Sequence, residues 1–122
     1  MNHASPVYLA VFSQDSRRIA TASSEGTARV WGGATGTPLS GDLAHGSRAT
    51  AIDLHPTEER LITAGRDGKA WIWEYRRGEK AAEPFHHTNM IRQASFSPDG
   101  KRAVTAGDDE VCRVWNVFRS SS

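Results

Sequence analysis

Cys112 is the only cysteine among the 122 residues, so no internal disulfide can form and a small secreted scaffold held by bridges is excluded. No run approaches the roughly 18 consecutive apolar residues that a membrane-crossing helix requires. Met1 to Pro6 has no charged start, apolar run or cleavage site of an export signal. An excess of one charge is also missing. Fifteen Lys and Arg face 14 Asp and Glu, and the formal net charge of +1 supplies no global field for nucleic acid or an anionic membrane. No segment combines helical periodicity with capping signals over about ten residues. These absences leave a soluble, cytoplasmic, all-β chain as the expectation, with a hydrophobic fraction of 38%, sufficient for one globular unit.

What is present is a repeat. Trp31, Trp73 and Trp115 are spaced 42 residues apart, and so are His3, His45 and His87, so the windows they bound align without a gap. Thr21, Thr63 and Thr105 fall in register inside them, with Arg18, Arg60 and Arg102 just upstream. Each window reads as three short strands. The first places apolar residues at Val7, Ala10 and Phe12, then at Ala49, Ile52 and Leu54, then at Ile91, Ala94 and Phe96. Turn residues follow, most plainly Ser97-Pro98-Asp99-Gly100, and then a hairpin whose return strand ends on Trp. A fourth strand is expected near Leu39 to Leu43 and near Ala81 to Phe85.

The pattern resembles the WD-repeat family of β-propellers over about 115 of the 122 positions. The third repeat carries it most fully, with His87, SFSPDG at Ser95 to Gly100, TAGDD at Thr105 to Asp109 and RVWN at Arg113 to Asn116. Links such as GATGTPL at Gly33 to Leu39 are similar to those of bacterial members. The resemblance implies three blades of about four antiparallel strands, bounded at 3–44, 45–86 and 87–119, with a tail at 120–122. It also implies a buried hydrogen-bond chain in each blade, on His45, Asp67, Thr63 and Trp73 and on His87, Asp109, Thr105 and Trp115. The first repeat offers His3, Thr21 and Trp31 but has Glu25 where the others have Asp. A His held by a carboxylate can pass a hydrogen bond to a hydroxyl and on to an indole N–H, satisfying groups that would be costly to bury alone.

Periodicity decides against catalytic and metal readings of the same residues. A Ser, His and Asp set that recurs with every repeat behaves as a scaffold must and as a catalytic triad need not. His86 and His87 are adjacent on a strand, so they point to opposite faces and do not share an ion. No glycine-rich loop leads into a helix N-terminus as a phosphate cradle does. No catalytic residue, metal or cofactor is therefore expected. The arginines at 18, 60 and 102 read as a solvated arc near the first turn. Trp71 lies two residues from Trp73 on the same strand face, where it either packs against the fourth strand or anchors a partner.

Partner contacts in the family concentrate on loops that here carry Pro6, Arg48 and Met90, and Ser24, Arg66 and Asp108. Their chemistry differs from repeat to repeat while the framework stays constant, as a recognition surface on a fixed support requires. The expected function is thus a non-enzymatic scaffold that binds a peptide or protein. An enzyme or small-ligand binder using a central channel, or a repeat fragment without its own function, are the alternatives. Rings of this kind have about 4 to 8 blades. Three blades leave two apolar flanks open, so closure is expected from a dimer with six blades or a trimer with nine, unless the chain is part of a longer propeller.

Overall fold

The computed structural model describes residues 7–13, 17–23, 26–33, 36–41, 43–45, 49–56, 59–80, 85–86, 89–108 and 112–116. Strands β1 (Val7–Phe12), β2 (Arg18–Ser23), β3 (Thr27–Gly32) and β4 (Leu43–Ala44) form the first antiparallel sheet in that order. The second contains β5 (Ala49–Leu54), β6 (Arg60–Gly65) and β7 (Lys69–Glu74), with β8 (Glu79–Lys80) and β9 (Phe85–His86) both paired to β7. The third is β10 (Ile91–Phe96), β11 (Arg102–Gly107) and β12 (Cys112–Asn116). The described residues contain no helix. The fold is all-β, with three antiparallel blades.

The repeat extends to irregularities. Each inner strand has a β-bulge at the same place, between Val7 and Leu9, between Ala49 and Ala51, and between Ile91 and Gln93. Each inner turn is closed by backbone bonds between equivalent residues, and Ser13 Oγ and Ser97 Oγ accept from the Arg18 and Arg102 amides at 3.0 and 3.1 Å. Ser97 also bonds Asp99 at 2.6 Å, which with the Lys101 amide holds that exposed carboxyl below its ordinary range.

The fourth strand differs from the sequence reading. In the first blade it is reduced to a bridge between Trp31 and Pro38 and the two residues of β4, which pair with Thr27 and Ala28. Between them the Val30 amide donates to Ser40 Oγ at 2.9 Å, so a side chain replaces the backbone acceptor and the ladder breaks. In the second blade β8 pairs at Trp73 and Glu74 and β9 at Lys69 and Ala70, and positions 81–84 of the expected strand lie outside the described residues. Whether blade three has an outer strand lies outside the described residues.

The core lies between blades. Ala20, Ala22, Ala28 and Val30 of the first blade join Ile52, Leu54, Leu61 and Tyr75 of the second in one buried cluster. Ile62, Ala64, Ala70 and Ile72 of the second join Ile91, Ala94, Phe96 and Ala103 of the third in another. Each fully buried branched side chain contributes about 2 kcal/mol, so contact between neighbouring blades is the main source of stability. The central strands record it. In β2 and β6 every residue after the first is buried, whereas β11 is only partly covered.

Polar ties cross the same junctions. The Arg18 guanidinium donates to Tyr75 Oη at 2.7 Å and to the His55 carbonyl at 3.0 Å. His55, standing where the other blades have Ser, donates from Nε2 to the Gly100 carbonyl at 2.8 Å. Asp53 accepts from the Phe96 amide at 2.8 Å, and the Thr50 hydroxyl reaches the Ile91 carbonyl. The solvated arginine arc is thereby corrected. Arg18 is a half-buried clamp between blades because Tyr75 and His55 present acceptors to it; Arg60 lies 3.6 Å from Glu74, and Arg102 is exposed.

Candidate functional site

The framework of the candidate site is set by the strand register. Thr63 on β6 and Trp73 on β7 have positions whose side chains share one face, and the indole Nε1 donates to Thr63 Oγ1 at 2.8 Å. Thr21 accepts from Trp31, and Thr105 from Trp115, at the same 2.8 Å. In blade two the chain continues to His45, whose Nδ1 is 2.8 Å from Thr63 Oγ1. Because the hydroxyl accepts from the indole and the Asp67 carboxylate faces Nε2, the His45 proton belongs on Nε2, leaving Nδ1 to accept from Thr63.

The last link is looser than the sequence implies. His45 Nε2 is 3.6 Å from Asp67 Oδ1, beyond a hydrogen bond, so Asp67 acts on the ring through charge. Asp67 spends its oxygen instead on the Lys69 amide at 3.0 Å, closing the turn between β6 and β7. His3, Glu25, His87 and Asp109, the corresponding residues of the outer blades, lie outside the described residues.

Burial pulls the His45 ring below its ordinary pKa of 6.5, and the charge and proximity of Asp67 oppose that shift. The unfolded chain therefore takes up a proton that the folded chain resists. Stability from this group is present above pH 6.5 and is expected to decline as pH falls below it. The difference in melting temperature between about pH 7.5 and 5.5 should shrink in His45→Gln. An unchanged difference would assign the effect to other groups.

On the loop side, Arg66 and Asp108 are exposed and Met90 is half-buried. The Asp108 amide donates to the Met90 carbonyl at 2.9 Å, so these two candidates share one rim. Arg92, which sequence reasoning missed, joins them. Its guanidinium pairs with Asp108 through both carboxylate oxygens, Nε with Oδ1 and a terminal nitrogen with Oδ2 at 3.3 Å. Arg92 is the bulged residue of β10 and therefore falls outside the strand alternation that sequence periodicity reads. Pro6, Arg48 and Ser24 lie outside the described residues.

Trp71 is not on that rim. It packs half-buried against the cluster joining blades one and two, and Lys80 Nζ of β8 stands 3.8 Å above its ring. Of the two roles open to it, the structure shows packing against the fourth strand. A groove of about 300 Å³ runs along the inner strands, lined by Leu9, Val11, Ile52 and Ala94 with Thr50 and Arg92. Asp53 is directed into the junction with blade three, where burial raises its pKa and the Phe96 amide partly offsets this. Among the described residues no three His, Cys, Asp or Glu side chains come together as metal ligands would.

Comparison with known proteins agrees with this geometry. The sequence profile described as "WD domain, G-beta repeat" matches residues 1–32, 36–74 and 79–116. No curated protein gives a significant sequence match. Among solved structures, the crystal structure of the computationally designed Ika4 protein superposes with a TM-score of 0.81 at 22% identity, covering 95% of this chain and 69% of that one. At that identity the likeness concerns the fold alone.

Proposed function

Since the chain belongs to the WD-domain, G-beta repeat family, whose members generally serve as protein-interaction scaffolds, we propose that it is a non-enzymatic scaffold holding a peptide or protein partner on its loop rim. One observation carries this reading. The Thr to Trp bond is 2.8 Å in all three blades, whereas positions 66 and 108 carry opposite charges on equivalent loops. A constant frame with variable loop chemistry is the arrangement that recognition requires. The rim combines an apolar side chain, Met90, with the charges of Arg66, Arg92 and Asp108, which suits an extended peptide with both apolar and charged side chains. Arg48, Pro6 and Ser24 extend it by position in the repeat. In this reading the protein works in the cytoplasm, and further copies of the chain supply the neighbours that three blades lack, two copies giving six blades and three giving nine.

A random peptide library panned against the purified chain tests the rim. Capture of the selected peptides is expected to fall about tenfold in Arg66→Ala and in Met90→Ala, equivalent to roughly 1.4 kcal/mol, and to be unchanged in Lys80→Ala on the outer edge. Equal capture by all the variants would overturn the loop-rim reading.

A further inference from the structure

The two flanks of the arc can be compared position by position with the two junctions already formed. On the leading side of a blade, Leu54 and Phe96 are buried against the preceding blade, at 3% and 7% exposure. Phe12, the same position of blade one, is 64% exposed. Ala10 repeats the contrast with Ile52 and Ala94, which are buried. On the trailing side, Val30 and Ile72 are buried against the following blade at 0% and 3%, while Val114 is 61% exposed. Its neighbours follow. Ala28 and Ala70 are fully buried where Cys112 is exposed, and Ala20 and Ile62 are fully buried where Val104 is only half-covered. The residues that make contacts at the internal junctions are thus present on both flanks, with apolar chemistry retained and no blade against them.

We propose that the trailing face of blade three, at Val104, Cys112 and Val114, docks on the leading face of blade one, at Ala10 and Phe12, of a second copy of this chain, so that two arcs close head to tail into one six-bladed ring. This rests on the reading that further copies complete the scaffold, and it names the surface and the number. The docking repeats an interface the chain already makes twice, bringing Val114 and Phe12 into one cluster as Val30 and Leu54 share one and Ile72 and Phe96 another. Arg102 occupies the position of Arg18, so the charged half of the clamp that ties blade one to two is present at the new junction. Each contact joins unlike faces and would polymerise unless the rotation closes. Two three-blade arcs reach a ring size within the usual range, whereas three exceed it.

The purified chain is expected to have a native mass twice its 13.3 kDa. Phe12→Glu and Val114→Lys should each run at the mass of one chain while keeping the β-sheet circular dichroism of the parent. Mixing the two variants should restore the double mass, because one junction of the mixed ring pairs Glu with Lys and the other is unaltered. If either single variant fails to fold, the double variant Phe12→Glu with Val114→Lys reads the same pairing within one sequence and should be a dimer. A parent mass of one chain overturns the proposal, as expected if further blades of a longer polypeptide or another protein cover these faces. A trimer, an open polymer, or dimers that persist in both single variants overturn it as well. Peptide capture by a one-chain species, or a dimer that captures nothing, separates failure of the closure from failure of the loop-rim reading.

Discussion

Thr63→Val is expected to lower the unfolding free energy by about 3 kcal/mol. The substitution conserves shape, so the loss isolates the hydroxyl. Thr63 Oγ1 serves Trp73 Nε1 and His45 Nδ1 at 2.8 Å each, and all three side chains are buried. Removing it orphans a donor and an acceptor that water cannot reach, at about 1 to 3 kcal/mol for each. Thr105→Val should cost less, about 1 kcal/mol, because Trp115 is half-exposed and its indole can turn to solvent. Urea unfolding at one fixed protein concentration measures both, since association of copies would make apparent stability depend on concentration. Equal midpoints for parent and Thr63→Val would show that the Thr, His and Trp chain is not a stability element.

Gly100→Ala is expected to be as damaging, at about 3 kcal/mol, for a different reason. Gly100 has φ of +72°, where a Cβ is strained, and that Cβ would fall 2.4 Å from His55 Cε1 and Nε2. The imidazole cannot yield cheaply. It is 1% exposed, lies edge-on to Phe96 at 5.0 Å, and donates to the carbonyl of Gly100 itself. One methyl group therefore opens the junction between blades two and three. In a His55→Ala background the same substitution should cost only about 1 kcal/mol, the backbone share. Additive losses in the double variant would place the strain somewhere other than the imidazole.

The frame was legible in the sequence because it repeats. The Trp and Thr positions share one period, and each inner strand begins and ends where its apolar residues indicate. Features found at only one repeat position were not legible. Ser40 breaks the outer strand because its Oγ accepts from the Val30 amide, a contact for which a hydroxyl in a polar link gives no warning. His55 stands where Ser is the rule, and while its amide closes the turn as in the other blades, its side chain reaches across to Gly100. Arg18 looked like Arg60 and Arg102, yet its environment is set by Tyr75, 57 residues away. On the proposed rim, the offsets in the repeat point to Arg66, Met90 and Asp108, while they do not point to Arg92 because the bulge removes it from the alternation. Trp71, by contrast, stands out in the sequence by its size with two roles open to it, and its packing beneath Lys80 comes from β8, which the repeat does not specify.

The recurring bulge has one more effect. Because the hairpin ladder passes over positions 8, 50 and 92, whatever residue stands there bears no part of the pairing. Those three places hold Tyr, Thr and Arg, as unlike in size and charge as a short list can be. Mutation at 50 or 92 alters what one end of the groove offers without shifting a hairpin by a residue, and at 50 it also removes the hydroxyl tie to Ile91, so of these two places 92 is the one where diversity is least bound to the junctions.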